Sequence, residues 1–263
     1  MKNLWKIAVI GLFTVVLAAC GNTAAQGNLT AQEVFEKAKD ASAKLESVHS
    51  TISFEDYWKT TVPEDKRTMK YDFISDATLQ PVTFKQQLIV KPSGEQAWEA
   101  NVYKTNDRIF VKEGSEQELD ELSSGALSEL FGAMMDHVNP TVNLSFFDTF
   151  ADDFELEPID YGYNLRLSMS REQYQEFQKL VFGVDDISGE YAFINKFDIV
   201  IGIDISTFYT TDFKMTMDTT TYSTTEVNGN SHRVKQTFTA VYSKYDHVDP
   251  IKLPANVLEV AAR

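Results

Sequence analysis

The chain has 263 residues, 39 acidic against 24 basic, for a net charge of −15; 43% of it is hydrophobic and 12% aromatic. That acidity excludes nucleic-acid phosphate and anionic lipid headgroups as electrostatic partners, and the apolar content excludes a disordered chain. Its one cysteine excludes an internal disulfide or a multi-cysteine metal site.

The first residues, MKNLWK, carry Lys2 and Lys6, and residues 7–19, IAVIGLFTVVLAA, are uncharged. A basic start and a short apolar run describe a secretory signal segment, and the run falls short of the roughly 20 apolar residues of a membrane span. Its end, Leu17-Ala18-Ala19-Cys20, resembles the lipobox of bacterial lipoproteins. That resemblance implies a diacylglyceryl group on the Cys20 sulfur and cleavage just before it. No His stands near Cys20 in sequence to supply the base a nucleophile needs, and there is no second Cys. Two acyl chains suffice for stable anchoring, at roughly 0.8 kcal/mol for each buried CH₂. The following GNTAAQGN reads as a flexible tether. The expected division is therefore signal 1–19, lipidated Cys20 and tether 20–28, and one domain over 29–263. Without residues 1–19, which hold two lysines and no acid, 22 basic residues face 39 acidic ones, a net of −17.

The domain opens with NLTAQEVFEKAKDASAKLESV. Thr30 and Glu33 have capping-box spacing, and Val34, Phe35, Ala38, Ala41, Leu45 and Val48 make a helical stripe. From residue 50 the period becomes two. Ile52, Phe54 and Trp58 share one face; Met69, Tyr71 and Phe73 follow, then Val82, Phe84, Leu88 and Val90, then Trp98, Ala100 and Val102. DRIFVKE adds a fifth strand, and Pro63, Pro81 and Pro92-Ser93-Gly94 punctuate the run. Strands with one apolar face in succession predict an antiparallel meander.

The spacing in EQELDELSSGALSELFGAMMDHV predicts a central helix that stops at Asn139-Pro140. Leu144, Phe147 and Phe150 then suit a shorter helix or a turn-rich cover. A strand follows with Tyr161, Tyr163, Leu165, Leu167 and Met169 on one face. A further helix, REQYQEFQKLVFG, has Ser170 as its N-cap and Gly183 past its end. A second meander sets Phe193, Phe197, Ile199, Ile201, Ile203 and Ile205 on one parity, then Phe213, Met215 and Met217. After the Asn228-Gly229-Asn230 turn, Val234, Phe238, Ala240 and Tyr242 carry the return strand.

The expected fold class is α+β: a large curved antiparallel sheet of about ten strands with about three helices over its apolar face. The order of lipobox, LTAQEVFEKAKDASAKLESVHSTISFE helix, meander, helical insert, second meander and final YSKYDHVDPIKLPANV resembles lipoproteins of the LolA/LppX–LprG-like half-barrel type. Poorly characterised Gram-positive members are the most similar in layout. The resemblance implies a half-barrel with the helices on its concave side, in a membrane-anchored extracytoplasmic protein with space for the acyl chains of a lipid between sheet and helices.

Catalytic signatures are missing from the sequence. His49, His137, His232 and His247 are scattered without a metal-pair spacing, and His49 and His137 are expected at helix ends. There is no GxSxG, phosphate loop or GxGxxG. The acids of DTFADDFELE and DDISGE lack the alternating Asp/Asn and Gly of a calcium loop and read as solvated edges. No catalytic residue, metal ligand or cofactor beyond the lipid on Cys20 is therefore expected, and the expected class is not an enzyme. The candidate apolar lining is Leu130, Phe131, Met134 and Met135 of the central helix with Phe146, Phe147 and Phe150, an adaptable Met/Phe wall. The expected partners are the membrane and a lipid or other apolar molecule. The alternative reading is an envelope interaction or sensor protein with a filled core, which meets a protein partner through its acidic surface.

Overall fold

Eleven strands pair antiparallel in one open sheet in the computed structural model, which describes residues 29–61, 64–105, 108–114, 119–122, 141–182, 190–223 and 231–261. In chain order they are β1 (Ser47–Thr61), β2 (Glu64–Leu79), β3 (Val82–Pro92), β4 (Trp98–Thr105), β5 (Arg108–Glu113), β6 (Asp120–Leu122), β7 (Glu155–Ile159), β8 (Gly162–Ser168), β9 (Glu190–Asp204), β10 (Thr210–Ser223) and β11 (Ser231–Ser243). Their order across the sheet is β6-β5-β4-β3-β2-β1-β11-β10-β9-β8-β7. Each meander is continuous, and the two meet where β1 pairs β11, from His49 opposite Ser243 to Thr60 opposite His232. The fold is the expected α+β half-barrel. β6 and β7 follow one another in sequence yet occupy opposite edges.

The registers assign every strand one inner and one outer face, because side chains alternate. Inner positions include Val48, Ile52 and Phe54 on β1, Phe73 and Ala77 on β2, Phe84 and Leu88 on β3, Leu165 on β8, Ile199 and Ile201 on β9, and Phe213 and Met215 on β10. The outer face carries charge ladders, among them Asp72 with Lys91 at 2.7 Å and Asp218 with Arg233 at 2.6 Å.

Among the described residues, three helical segments pack at one end of the inner face. Helix α1 (Ala31–Ser42) buries Val34, Phe35 and Ala38, and Phe35 stacks on Phe154 at 5.6 Å. A 3-10 helix (Leu144–Asp153) starts with the Asn143 side chain accepting from the Ser145 amide. It buries Leu144, Phe147, Phe150 and Ala151. Helix α2 (Arg171–Phe182) begins with a reciprocal cap: the Gln173 amide donates to Ser170 Oγ, and the Ser170 amide donates to Gln173 Oε1. Ser170 is thus the expected N-cap; Gly183 lies outside the described residues.

Five expectations change. Helix α1 stops at Ser42, a turn closes through Leu45 N–H to Ser42 C=O, and Val48 enters β1 rather than the helical stripe. His49 is consequently a strand residue, its Nδ1 2.7 Å from Asp76 Oδ1 across the β1–β2 pair, and not a helix-end residue. Asp120–Leu122 pairs with β5 as β6 instead of opening the central helix. A bulge between the Asp218/Thr219 pairings of β9 and β10 flips Phe193 to the outer face. There its ring meets Tyr222 edge-on at 5.5 Å, since one inserted residue reverses the alternation beyond it. Finally, a short helix α3 (Ala255–Ala261) seats Val257 against Tyr103 and Phe110, forming a second core on the outer side of β4 and β5.

Candidate functional site

Two of the expected lining residues are firmly packed. Phe147 stacks on Phe177 of α2 at 5.8 Å, meets Phe154 edge-on at 6.3 Å and lies 6.2 Å from Phe213 of β10. Phe150 lies 6.5 Å from Phe177, which in turn lies 5.3 Å from Phe197 of β9. Phe146 is half-buried. Leu130, Phe131, Met134, Met135, His137 and Cys20 lie outside the described residues.

Two acids of DTFADDFELE fasten this helical cover, and a third joins β7 to β8. Asp148 pairs with Lys39 of α1 at 2.9 Å, and Asp153 accepts from Gln173 of α2 at 2.8 Å. Glu157 accepts from Asn164 and Arg166 of β8 at 2.9 and 2.7 Å. Among the described residues no group of three or more His, Cys, Asp or Glu is placed to hold a metal ion. Nor is any described helix long and apolar enough to cross a membrane.

The inner face divides along the strands. At the end beneath the helices its side chains are almost wholly buried, from Val48 and Ile52 through Phe73 and Ala77 to Ile199, Ile201 and Met215. Toward the other end the same face carries Phe54, Trp58, Met69, Tyr71, Met217, Val234 and Phe238, all only half-buried. Phe54 stacks on its cross-strand partner Tyr71 at 5.8 Å, and Trp58 stacks on His232 at 5.2 Å with the Arg67 guanidinium 5.3 Å from its ring. Large apolar side chains left part-wet on the inner side of a sheet make a candidate surface for an apolar ligand.

Polar groups interrupt this wall. Asp56 stands on the inner face of β1, opposite Met69 on β2 and Gln236 on β11, and Gln236 faces Met217 on β10. Burial pushes the Asp56 carboxyl above its ordinary value, and a hydrogen bond from Gln236 pulls it partway back. Asp56 Oδ1 is buried without a hydrogen-bond partner, as is His232 Nδ1. Burial also raises the Tyr71 phenol, with the charge on Asp56 adding to it. At the boundary with the packed half, Tyr174 of α2 donates to Met217 Sδ at 3.2 Å, and burial pushes its phenol up to about 12. Deeper still, Ser50, Ser75 and Gln86 form a buried polar row across β1, β2 and β3. None of these polar residues was among the sequence candidates. The signal was present, because Asp56, Gln86 and Gln236 break the parity of otherwise apolar strand faces.

A separate groove of about 340 Å³ lies between α1 and the β9–β10 turn, lined by Lys37, Asp40, Ala41, Lys44, Thr207, Phe208 and Tyr209. Asp204 shapes that turn by accepting from Ser206 and Thr207, and Phe208 adopts a left-handed φ of 58°.

A family model, described as a family of unknown function (DUF6612), matches residues 30–262. The chain belongs to that family. The match takes in every described strand and helix of this DUF6612 chain. No curated protein matches the sequence. Among solved structures, the DUF6612 chain is similar to the Mycobacterium tuberculosis lipoprotein LppX, at 14% identity and a TM-score of 0.41, over 85% of this chain and 98% of that one. It is also similar to LprF from Mycobacterium bovis, at 13% identity and a TM-score of 0.44, over 85% and 95%. A third similar structure is the LolA superfamily protein NE2245 from Nitrosomonas europaea, at 13% identity and a TM-score of 0.28, over 87% and 97%.

Proposed function

We propose that this protein is a lipid-anchored extracytoplasmic binding protein that takes an apolar ligand, such as the acyl chain of a lipid, against the inner face of its sheet. The observation that carries this reading is the half-buried wall of Phe54, Trp58, Met69, Tyr71, Met217 and Phe238. It lies beside a packed half in which the equivalent positions are fully covered. A sheet that needed its inner face only for stability gains by covering both halves alike, at about 25 cal/mol for each Å² of apolar surface removed from water.

Native mass spectrometry of the purified protein tests the reading. Co-purified lipid, or saturable binding of a fluorescent fatty-acid analogue that Phe238→Asp abolishes, is the expected result. Absence of both sinks it and favours the alternative of an envelope protein acting through its acidic surface.

The anchor is supported by the lipobox at residues 17–20. Cys20→Ser is expected to move the protein from the membrane fraction to the medium, or to leave it at precursor size, with the domain still folded. A variant that stays anchored at mature size overturns that part.

A further inference from the structure

The carboxylate of Asp56 stands inside the apolar wall, and its setting constrains what can lie against it. Asp56 shares the inner face of β1 with Phe54 and Trp58. Across β2 it faces Met69, and across β11 it faces Gln236, beyond which lies Met217. One carboxylate oxygen accepts from Gln236, while Oδ1 is buried with no partner. A buried carboxylate oxygen left unpaired is unfavourable, and the deficit disappears when a donor is brought to it. An apolar group or a second carboxylate cannot do this; a hydroxyl or an ammonium can.

We infer that Asp56, with Gln236, is the headgroup-recognition site of the apolar wall, and that its ligand is an amphiphile whose polar end donates hydrogen bonds, a hydroxyl or amine rather than a carboxylate. This rests on the reading of the inner face as a ligand wall and adds the chemistry of the polar end. The acyl chain lies along Phe54, Tyr71, Met217 and Phe238, and the donor group meets Oδ1. Gln236 keeps the second oxygen occupied and so orients the first. A ligand carboxylate placed there would set two like charges together in a partly desolvated site, which disfavours both. His232 Nδ1, also unpartnered, lies on the same face of β11 four residues away. At about 3.3 Å per residue that is ~13 Å toward the strand end, within reach of a larger polar group.

The test is displacement of a fluorescent acyl probe from the full-length protein at pH 8 by 1-monopalmitoylglycerol and by palmitate, two ligands with one chain length and different headgroups. The wild type is expected to bind the glycerol ester about tenfold more tightly, the value of a single good polar contact. Asp56→Asn, similar in shape but uncharged, is expected to bring the ratio close to one by admitting palmitate. Asp56→Leu is expected to lose affinity for the glycerol ester while still binding acyl chains. Equal wild-type affinities, or a ratio unchanged in Asp56→Asn, overturn the headgroup site while leaving the apolar wall as a binding surface. Failure of both ligands to displace the probe, or of the probe to bind at all, overturns the ligand wall and the headgroup site together. Circular-dichroism melting of each variant separates altered recognition from loss of fold.

Discussion

Single carboxylates on the two faces of this sheet titrate in opposite directions. On the outer face, Asp218 takes Arg233 Nε and Nη2 at 2.9 and 2.6 Å and also accepts from Asn195. The Arg233 hydrogen bonds hold its carboxyl below the ordinary value of 3.8, against the opposing effect of burial. Stability from such a group is full above the ordinary value and is lost as pH falls through the lowered one. Asp218→Asn is therefore expected to lower the urea midpoint at pH 7 and to flatten the acid limb of the pH profile. Asp56 on the inner face behaves inversely. Its raised value means that its favourable contribution holds at low pH and is lost as pH rises through it. Among the described residues of the two flanking strands, the titratable or charged groups sharing its inner face are Asp65, Arg67 and Tyr71 on β2 and His232 and Tyr242 on β11. Asp56→Asn is expected to raise the urea midpoint above pH 7, with the gain vanishing toward pH 4; an unchanged midpoint at both pH values contradicts the burial argument. The Ser170 cap was readable in advance because its geometry is local, whereas its reciprocal partner Gln173 was not singled out. Ser170→Ala is expected to destabilise by about 1 kcal/mol in urea unfolding. Asp56 was harder to read. Periodicity identifies the face a residue occupies, whereas the meaning of an acid there depends on neighbours 13 and 180 positions away, Met69 and Gln236.

Among elements, the 3-10 helix holds the cover to the sheet. Phe147 joins it to α2, to β10 and to Phe154 at once. Phe147→Ala is expected to cost about 3–5 kcal/mol, measured by urea unfolding, as truncation of a large buried aromatic does. A tight contact at the β7–β8 turn offers a second check: a Cβ on Gly162 would sit 1.9 Å from the Ile203 carbonyl oxygen of β9. Gly162→Ala is expected to displace β8 from β9 and lower the melting temperature by several degrees, since backbone rather than a side-chain tip must give way. Strands were the most legible elements because their apolar alternation was long. The errors came where a local event interrupted the pattern. A turn ended α1 before Leu45 and Val48 could join its stripe, and one inserted residue in β9 moved Phe193 to the other face. Three residues of β6 were too few for any period to register, and Pro158 in β7 disguised an edge strand that tolerates proline.

For the molecule as a whole, the outer-face core around α3 makes the end of the chain structural. Val257 is fully buried against Tyr103 and Phe110, and Arg108 donates to the Val260 carbonyl at 2.7 Å. Removing residues 250–263 is expected to bare that apolar patch and to show as increased dye binding and a lower melting temperature. The β1–β11 junction has a different consequence, one of timing. β1 is among the first strands made and β11 the last, yet they are neighbours. As the chain is made from its N-terminus, the fifteen-residue β1 keeps one row of amides and carbonyls without its native partner until some 170 further residues have followed. Until then that row can template pairing with another chain, so whatever escorts the emerging polypeptide must guard a single long strand edge rather than a collapsed core.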